Sequence, residues 1–377
     1  MNACPPDDAV EIHVFGPGYG ECLLVHLGLG EWMVVDSCKT GHGSPSALVW
    51  LAEIGVDPAQ GVKLVVATHW HDDHVRGLAE TFAACKSATF VCSNALLTKN
   101  LLTLTTDTER SNLRSSGVDE LREVVSELRR RKAESSARLL GIGYEFASAN
   151  KLILRREVEP RCEVWSLSPS TAEIHASLRQ FAEALGQQGD CSARRRVMPC
   201  KPNNTAVALW LIVGGRALLL GADLEEWRSS RGKPARDAGW SAIVGSSGRP
   251  TTSAEVYKVA HHGSATAHND EIWSKLLDEK PIALVTPFRN GKVGLPTGDD
   301  RRRILGLAGQ AYISARSDRR RYRTDDKVVA WAMHGKNPTT SPTPGHIWMR
   351  ASANPSTDDW AVMLQNGACS LNQFAGP

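Results

Sequence analysis

The β-branched run at residues 63–67 empties into His69-Trp70-His71-Asp72-Asp73-His74, which packs three of the chain's twelve histidines around two carboxylates. Such crowding is costly in a structural loop, because several of these groups need partners that a metal ion supplies most readily. The rest of the chain must then bring further ligands to the end of that strand. Two acidic residues also follow apolar runs, Asp36 after WMVV and Asp223 after ALLLGA, and a tandem pair, His261-His262, follows residues 256–260. Carboxylates set just past buried strands point into the cleft that the strand ends define.

The spacing suggests a division of labour. His69 and His71 are one residue apart, so an extended segment turns both imidazoles to one side, where they grip one ion. Asp73 and His74 serve a second ion, and Asp223 bridges the two with its two oxygens. Paired ions about 3.5–4 Å apart activate water and clamp the attacking and leaving oxygens of a displacement, which makes hydrolysis the reaction class. A donor set of His and carboxylate without Cys suits two Zn²⁺ ions best and is compatible with Mn²⁺ or Fe²⁺.

Length and composition narrow the setting. With 377 residues and 42% hydrophobic residues, the chain can bury a large core, which excludes disorder and a disulfide miniprotein. Nine scattered cysteines without a CxxC pair, and a start that lacks the basic and apolar regions of a signal peptide, suggest reduced thiols in the cytoplasm. The longest apolar stretch, 205–222, is broken by Gly214, Gly215 and Arg216, so it reads as two strands and a turn; no membrane association is expected. Lys plus Arg number 44 against 41 acidic residues, and a net charge of +3 does not by itself indicate a nucleic-acid binder. The distribution is more informative, because Arg301, Arg302, Arg303, Arg316, Arg319, Arg320, Arg321 and Arg323 cluster, as either a solvated face or a contact for a polyanion. Trp227 and Trp273 lie near Asp223 and the tandem histidines, where they could stack bases; Trp50, Trp165, Trp210 and Trp240 read as core. Asp72 is expected to face solvent or to pair with Arg76.

Along the chain, short apolar runs at 12–15, 23–27 and 32–35 form a β-meander, followed by a helix at 46–54. Residues 95–150 read as a helical insertion, with Leu121, Val124, Val125 and Leu128 at helical spacing within 119–137. Strand signals return at 163–167, 206–213, 217–220 and 282–286. A Pro, Thr and Gly-rich stretch at 335–345 precedes two last strand candidates. The expected organisation is one domain over 1–333, with 334–377 as a linker and β extension packed on it.

The motif His-x-His-x-Asp-His after a hydrophobic strand resembles the metallo-β-lactamase fold, an α/β (α+β) αββα sandwich with its metals at the edge between two sheets. Other segments, GPGYGECLLVHLG, VVDSC, PNNTAVAL, LLLGADLE and VYKVAHHGSATAHN, resemble in order the ComEC-type, DNA-internalisation-related branch. This resemblance implies metal ligation by His69, His71, Asp73, His74 and Asp223, with one of His261 and His262 completing the second ion's shell. His262 is preferred as the ligand. Neighbouring strand residues face opposite ways, so the other imidazole would serve substrate or support a ligand. Asp73, Asp223 and His261 are the catalytic candidates. Asp36, Asn203, Asn204 and Ser264 would support the ligands by hydrogen bonds, and Arg301, Arg302 and Arg303 would contact nucleic acid.

The sequence departs from the branch's pattern in two places. Gly18-Tyr19-Gly20-Glu21 replaces Gly-x-Gly-Asp, and Val293-Gly294-Leu295-Pro296 replaces a late Asn-x-x-x-His-Pro; a further His ligand found in many fold relatives is missing here, as it is from the branch. The expected activity is that of a dinuclear-zinc phosphodiesterase or nuclease with DNA as the favoured substrate. The alternatives are a hydrolase of a small phosphoester, nucleotide or lactone, and a silent or partner-activated module of a multi-protein bacterial system, such as an antiviral one, that binds a regulatory protein.

Overall fold

The computed structural model describes residues 3–16, 20–96, 116–135, 143–186, 202–228, 232–290, 293–314 and 345–374. The first half supplies β1 (Ala9–Gly16), β2 (Cys22–His26), β3 (Trp32–Val35), β4 (Val62–Ala67), β5 (Thr89–Ser93) and β6 (Tyr144–Ala147). The second supplies β7 (Lys151–Arg156), β8 (Cys162–Ser166), β9 (Leu209–Val213), β10 (Arg216–Leu220), β11 (Ala254–Lys258) and β12 (Leu277–Val285). A small hairpin, β13 (Phe288–Asn290) and β14 (Val293–Leu295), precedes β15 (Gln310–Ile313), β16 (Gly345–Ser352), β17 (Ala361–Gln365) and β18 (Cys369–Ser370).

These strands form two eight-stranded sheets, in the orders β17-β16-β1-β2-β3-β4-β5-β6 and β18-β15-β12-β11-β10-β9-β8-β7. Side-chain alternation shows how they stack. On β1, Val10, Ile12 and Val14 enter the core between the sheets, whereas Phe15 turns outward beneath the helices. On β10, Leu218 and Leu220 enter the same central core, whereas Ala217 and Leu219 face the helices of the second sheet. Three apolar layers therefore separate helix, sheet, sheet and helix. Strands covered on both faces favour apolar residues throughout, which is why β3 is wholly apolar and β2 and β10 carry runs of four apolar residues beside His26 and Arg216. Each such Val or Leu contributes about 1.5–3 kcal/mol on burial.

The centre of each sheet is parallel: β3 with β4, β5 and β6 in one, and β10 with β11, β12 and β15 in the other. Parallel strands end together, so the residues just beyond β3, β4, β10, β11 and β12 collect at one edge of the sandwich. Within 95–150, Ser116–Ser135 is helical and buries Leu121, Val124 and Val125, and β6 joins the first sheet beside β5. Residues 97–115 and 136–142, like the arginines at 316–323, lie outside the described residues. The first of the two last strands, β16, pairs with β1 from Ala9↔Ser352 to Gly16↔Gly345. No helix among the described residues is long and apolar enough to cross a membrane.

Trp210 and Trp240 are fully buried, as their apolar runs suggested. Trp273 packs in the second sheet's helical core, with its ring centroid 5.4 Å from that of Tyr257, and lines a small pocket with Gly263, Ser264 and His268.

His26 gives the fold an acid-sensitive point. Its Nδ1–H donates to the Ala9 carbonyl at 2.9 Å, and its Nε2 accepts from the Gly30 amide at 3.2 Å. Burial lowers its pKa to about 4. The unfolded chain therefore binds more protons than the native one between about pH 6.5 and 4, and stability is lost as pH falls through that window. Denaturant titrations of wild type and His26→Gln should show a wild-type advantage at pH 7 that shrinks by roughly 3 kcal/mol at pH 4. An advantage independent of pH would show that His26 does not stay neutral in the folded protein.

Candidate metal centre

The loop after β4 is built around Asp36, which leaves β3 with a positive φ of 58° and is 1% exposed. Its carboxylate accepts from the Thr68 amide at 2.8 Å, the Thr68 hydroxyl at 2.7 Å and His74 Nδ1 at 2.7 Å. Burial raises its pKa, against the lowering effect of His74. With Nδ1 occupied in this way, the His74 ring must present Nε2 to the interior of the site. Asp36 thus braces the loop, and its carboxylate is taken up by these bonds.

Nε2 of His74 lies 3.4 Å from Asp223 Oδ1 and 3.7 Å from Asp73 Oδ2. Nε2 of His262 lies 3.4 Å from Asp73 Oδ2 and 3.6 Å from Asp223 Oδ2. On the other flank, His69 Nε2 is 3.9 Å from Asp223 Oδ2 and 3.2 Å from His71 Nδ1. Asp223 stands between the two flanks, with Oδ1 toward His74 and Oδ2 toward His69 and His262. The potential ligand atoms of His69, His71 and Asp223 lie within 4.8 Å of one another, as do those of Glu21, His74, Asp223 and His262.

Burial sharpens the electrostatics. Desolvation pushes His69 well below the usual imidazole range, helped by the neighbouring His74. Desolvation also opposes a charge on His74, but Asp223, Asp36 and Asp73 outweigh it and hold that imidazole well above its usual range. Asp223 lies well below the carboxylate range despite its burial, because His262 and His74 face it.

His74 Nε2, Asp223 Oδ1 and His262 Nε2 are all buried without a hydrogen-bond partner. An unsatisfied buried polar atom costs about 1–3 kcal/mol, so three aimed at one point need a common partner. A divalent cation fits them: Asp223 Oδ1 and the two imidazoles offer it lone pairs once it takes the place of the proton that the carboxylates favour on His74. The donor set therefore fits a divalent metal ion.

The tandem histidines depart from the strand geometry expected of them. β11 ends at Lys258, and His261 and His262 sit in a tight turn with φ of 47° and 55°. Left-handed backbone at two successive residues removes the alternation of a strand. Both Nε2 atoms thus face Asp223, that of His261 at 3.9 Å. With Ala222 at φ 45° and Asp36, four non-glycine residues with positive φ surround one site. Such strain persists only where surrounding structure enforces it.

His261 is the more accessible imidazole of the pair, with its side chain 19% exposed. Its Nδ1 faces Glu225 Oε1 at 3.1 Å, and Nδ2 of Asn203 approaches Nε2 at 3.3 Å and donates to Glu225 at 3.1 Å. Asn204 lies beside Asn203 in the same short helical turn, Pro202–Thr205, half-buried. The Ser264 hydroxyl accepts from the Thr266 amide at 3.2 Å and so shapes the turn after the histidines. Asp72 does not face Arg76 or open solvent: its carboxylate accepts from the Gly117 amide at 2.7 Å and ties helix Ser116–Ser135 to the loop.

Arg301, Arg302 and Arg303 lie on helix Gly298–Leu307. Arg303 donates to the Gly263 carbonyl at 2.6 Å and to Asp300 at 2.8 Å, and Arg301 bonds the Phe374 carbonyl. Arg302 is exposed and paired with Asp299. Sequence reasoning missed Glu225, Thr68, Thr286 and Lys258, and left Glu21 without a role. Two of these carry a signal in retrospect: Lys258 is a charge within the strand VYKVA, and Glu21 replaces an expected Asp.

Residues 15–133 match the family model of the metallo-beta-lactamase superfamily. No curated protein matches the chain. Among solved structures, the metallo-beta-lactamase fold protein YhfI from Bacillus subtilis is 12% identical, with 81% of this chain and 96% of that one covered, at a TM-score of 0.40. Zn²⁺-bound PqqB from Methylobacterium extorquens is 11% identical over 81% of this chain and 87% of that one, at a TM-score of 0.33. The hydrolase AbOPH of the beta lactamase superfamily is 13% identical over 58% and 72%, at 0.32. The matched segment runs from β1 through the whole His69 to His74 loop, and together with the four-layer arrangement of the two sheets it identifies a metallo-beta-lactamase fold.

Proposed function

We propose that this chain is a metal-dependent hydrolase of phosphodiester bonds, with nucleic acid, DNA foremost, as its substrate. The observation that carries the hydrolase reading is the convergence of three partnerless buried atoms, on His74, Asp223 and His262, at the common end of the parallel strands. The ordered resemblance to the DNA-internalisation-related branch supports the choice of substrate.

His69, His71 and Asp223 would hold one ion, and Asp73, His74, His262 and Asp223 the other. Bound there, the ions would supply Lewis-acid activation of water and neutralise charge at the phosphoryl group. The remaining work falls to the chain. Asp36 fixes the His74 ring so that only Nε2 reaches the site. Glu225 and Asn203 position His261, whose exposure leaves it free to hand a proton to a departing oxygen.

A second reading, hydrolysis of a small phosphoester, nucleotide or lactone, is favoured by the inward engagement of Arg301 and Arg303. Those two guanidinium groups brace the fold and present little free charge to a polymer. One substrate panel separates the readings: plasmid, single-stranded DNA, RNA and bis-p-nitrophenyl phosphate, with Zn²⁺ or Mn²⁺ and with chelator. Chelator-sensitive polymer cleavage that rises steeply at low salt is the expected result. Turnover of the small ester alone selects the second reading, and full metal loading without any turnover points to control by a partner.

A further inference from the structure

Glu21 and Lys258 form an ion pair that the chemistry above does not use. The Lys258 ammonium lies 2.7 Å from Glu21 Oε2, with both side chains 1% exposed or less. The same Glu21 oxygen accepts from the Thr286 hydroxyl at 2.5 Å. Thr286 in turn meets His262: His262 Nδ1 lies 3.1 Å from the Thr286 carbonyl and 3.2 Å from its hydroxyl. A carbonyl can only accept, so Nδ1 carries the proton and Nε2 presents its lone pair to Asp73 and Asp223.

This arrangement repeats, in the other half of the molecule, what Asp36 and Thr68 do for His74. In each case a buried carboxylate accepts from a threonine hydroxyl at the end of a parallel strand; Asp36 also accepts directly from His74 Nδ1, whereas Glu21 Oε2 lies 3.9 Å from His262 Nδ1 and reaches it through Thr286. The Glu21 unit has an added feature, since its backbone amide donates to the Asp73 carbonyl at 2.8 Å. One residue after the first glycine-rich turn thus touches the metal loop through its main chain and the second sheet through its side chain.

We propose that Glu21, with Lys258 and Thr286, is a positioning unit that sets the orientation of His262 and thereby the affinity of the metal seat that His262 closes. Lys258 makes this possible by compensating a carboxylate that would otherwise be an unpaired charge in the interior. The unit acts through His262; because a Glu21 oxygen also lies within 4.8 Å of the donor atoms of His74, Asp223 and His262, the Thr286 variants, which leave that oxygen in place, separate positioning from direct ligation. It rests on the metal reading given above, and it adds residues that the sequence motifs leave without a role.

The test is competition of metal-free protein with a chromophoric chelator for Zn²⁺, with His262→Ala as the reference that identifies the affinity belonging to this seat. Removing one charge alone risks unfolding, so the first variant is the double replacement Glu21→Gln with Lys258→Met, which leaves no uncompensated charge. The second is Thr286→Val, which keeps the side chain's shape and its carbonyl. Losses of 10–100-fold at the His262 seat, with the other affinity unchanged, are expected for the double variant, and a smaller loss in the same seat for Thr286→Val. Thr286→Ser, which restores the hydroxyl, should recover it. If folded variants bind Zn²⁺ with wild-type affinities, the unit is purely structural and the proposal fails alone. If wild-type protein takes up no ion, the metal reading fails and the proposal with it.

Discussion

Asp223→Ala should abolish hydrolysis, with a loss of about a thousandfold or more, while the protein remains folded. The size of the effect follows from position. Asp223 Oδ1 faces His74 and Oδ2 faces His69, His261 and His262, so one side chain serves both flanks of the site. Truncation removes the only carboxylate with that reach among the described residues, and metal content should fall with activity. Steady-state kinetics on whichever substrate the panel identifies, together with metal analysis of the purified variant, check both halves of the expectation. A folded Asp223→Ala protein that keeps its metal and its rate would show that the chemistry lies elsewhere.

Gly221→Ala should be nearly as damaging although the residue has no chemistry of its own. β10 and β11 run parallel, and the Gly221 amide donates to the Lys258 carbonyl at 3.0 Å as the strands end. A Cβ at Gly221 would lie 2.9 Å from the Ala260 Cβ and 3.0 Å from its Cα and N. Two of those three atoms are backbone, so relief requires the turn that carries His261 and His262 to move. Overpacking of this kind costs about 1–3 kcal/mol. A displacement of about 1 Å in catalytic groups can cost about a hundredfold in rate. Thermal unfolding and kinetics should show both losses, and a wild-type rate would mean that the turn does not set the geometry of the site.

The metal loop was legible because its chemistry is local: His69 to His74 are contiguous, and imidazoles and carboxylates crowded so closely are costly to bury unless a cation relieves them. Asp36 and Asp223 could be found because each ends an apolar run, and parallel strands deliver such residues to one edge. The turn at His261 and His262 could not be read in the same way. Left-handed backbone at two histidines is imposed by surrounding packing, so the expectation that the two rings face opposite ways, sound for a strand, did not apply. Pairings between distant segments were equally hidden. The partner of Asp72 lies at Gly117, and Glu21 and Lys258 are far apart along the chain, so neither contact leaves a periodic trace. The arginines of helix Gly298–Leu307 illustrate the converse, since a run of like charge reads as one surface although the turns of a helix aim its members in different directions.

β1 lies between β2, its neighbour in the chain, and β16, which begins at Gly345. During synthesis, the flank of β1 that β16 will cover has no native partner until residues 345–352 have been made. Ribosome-bound intermediates that stop short of residue 345 should therefore carry an open strand edge, and native protease resistance should arrive in one step once β16 docks.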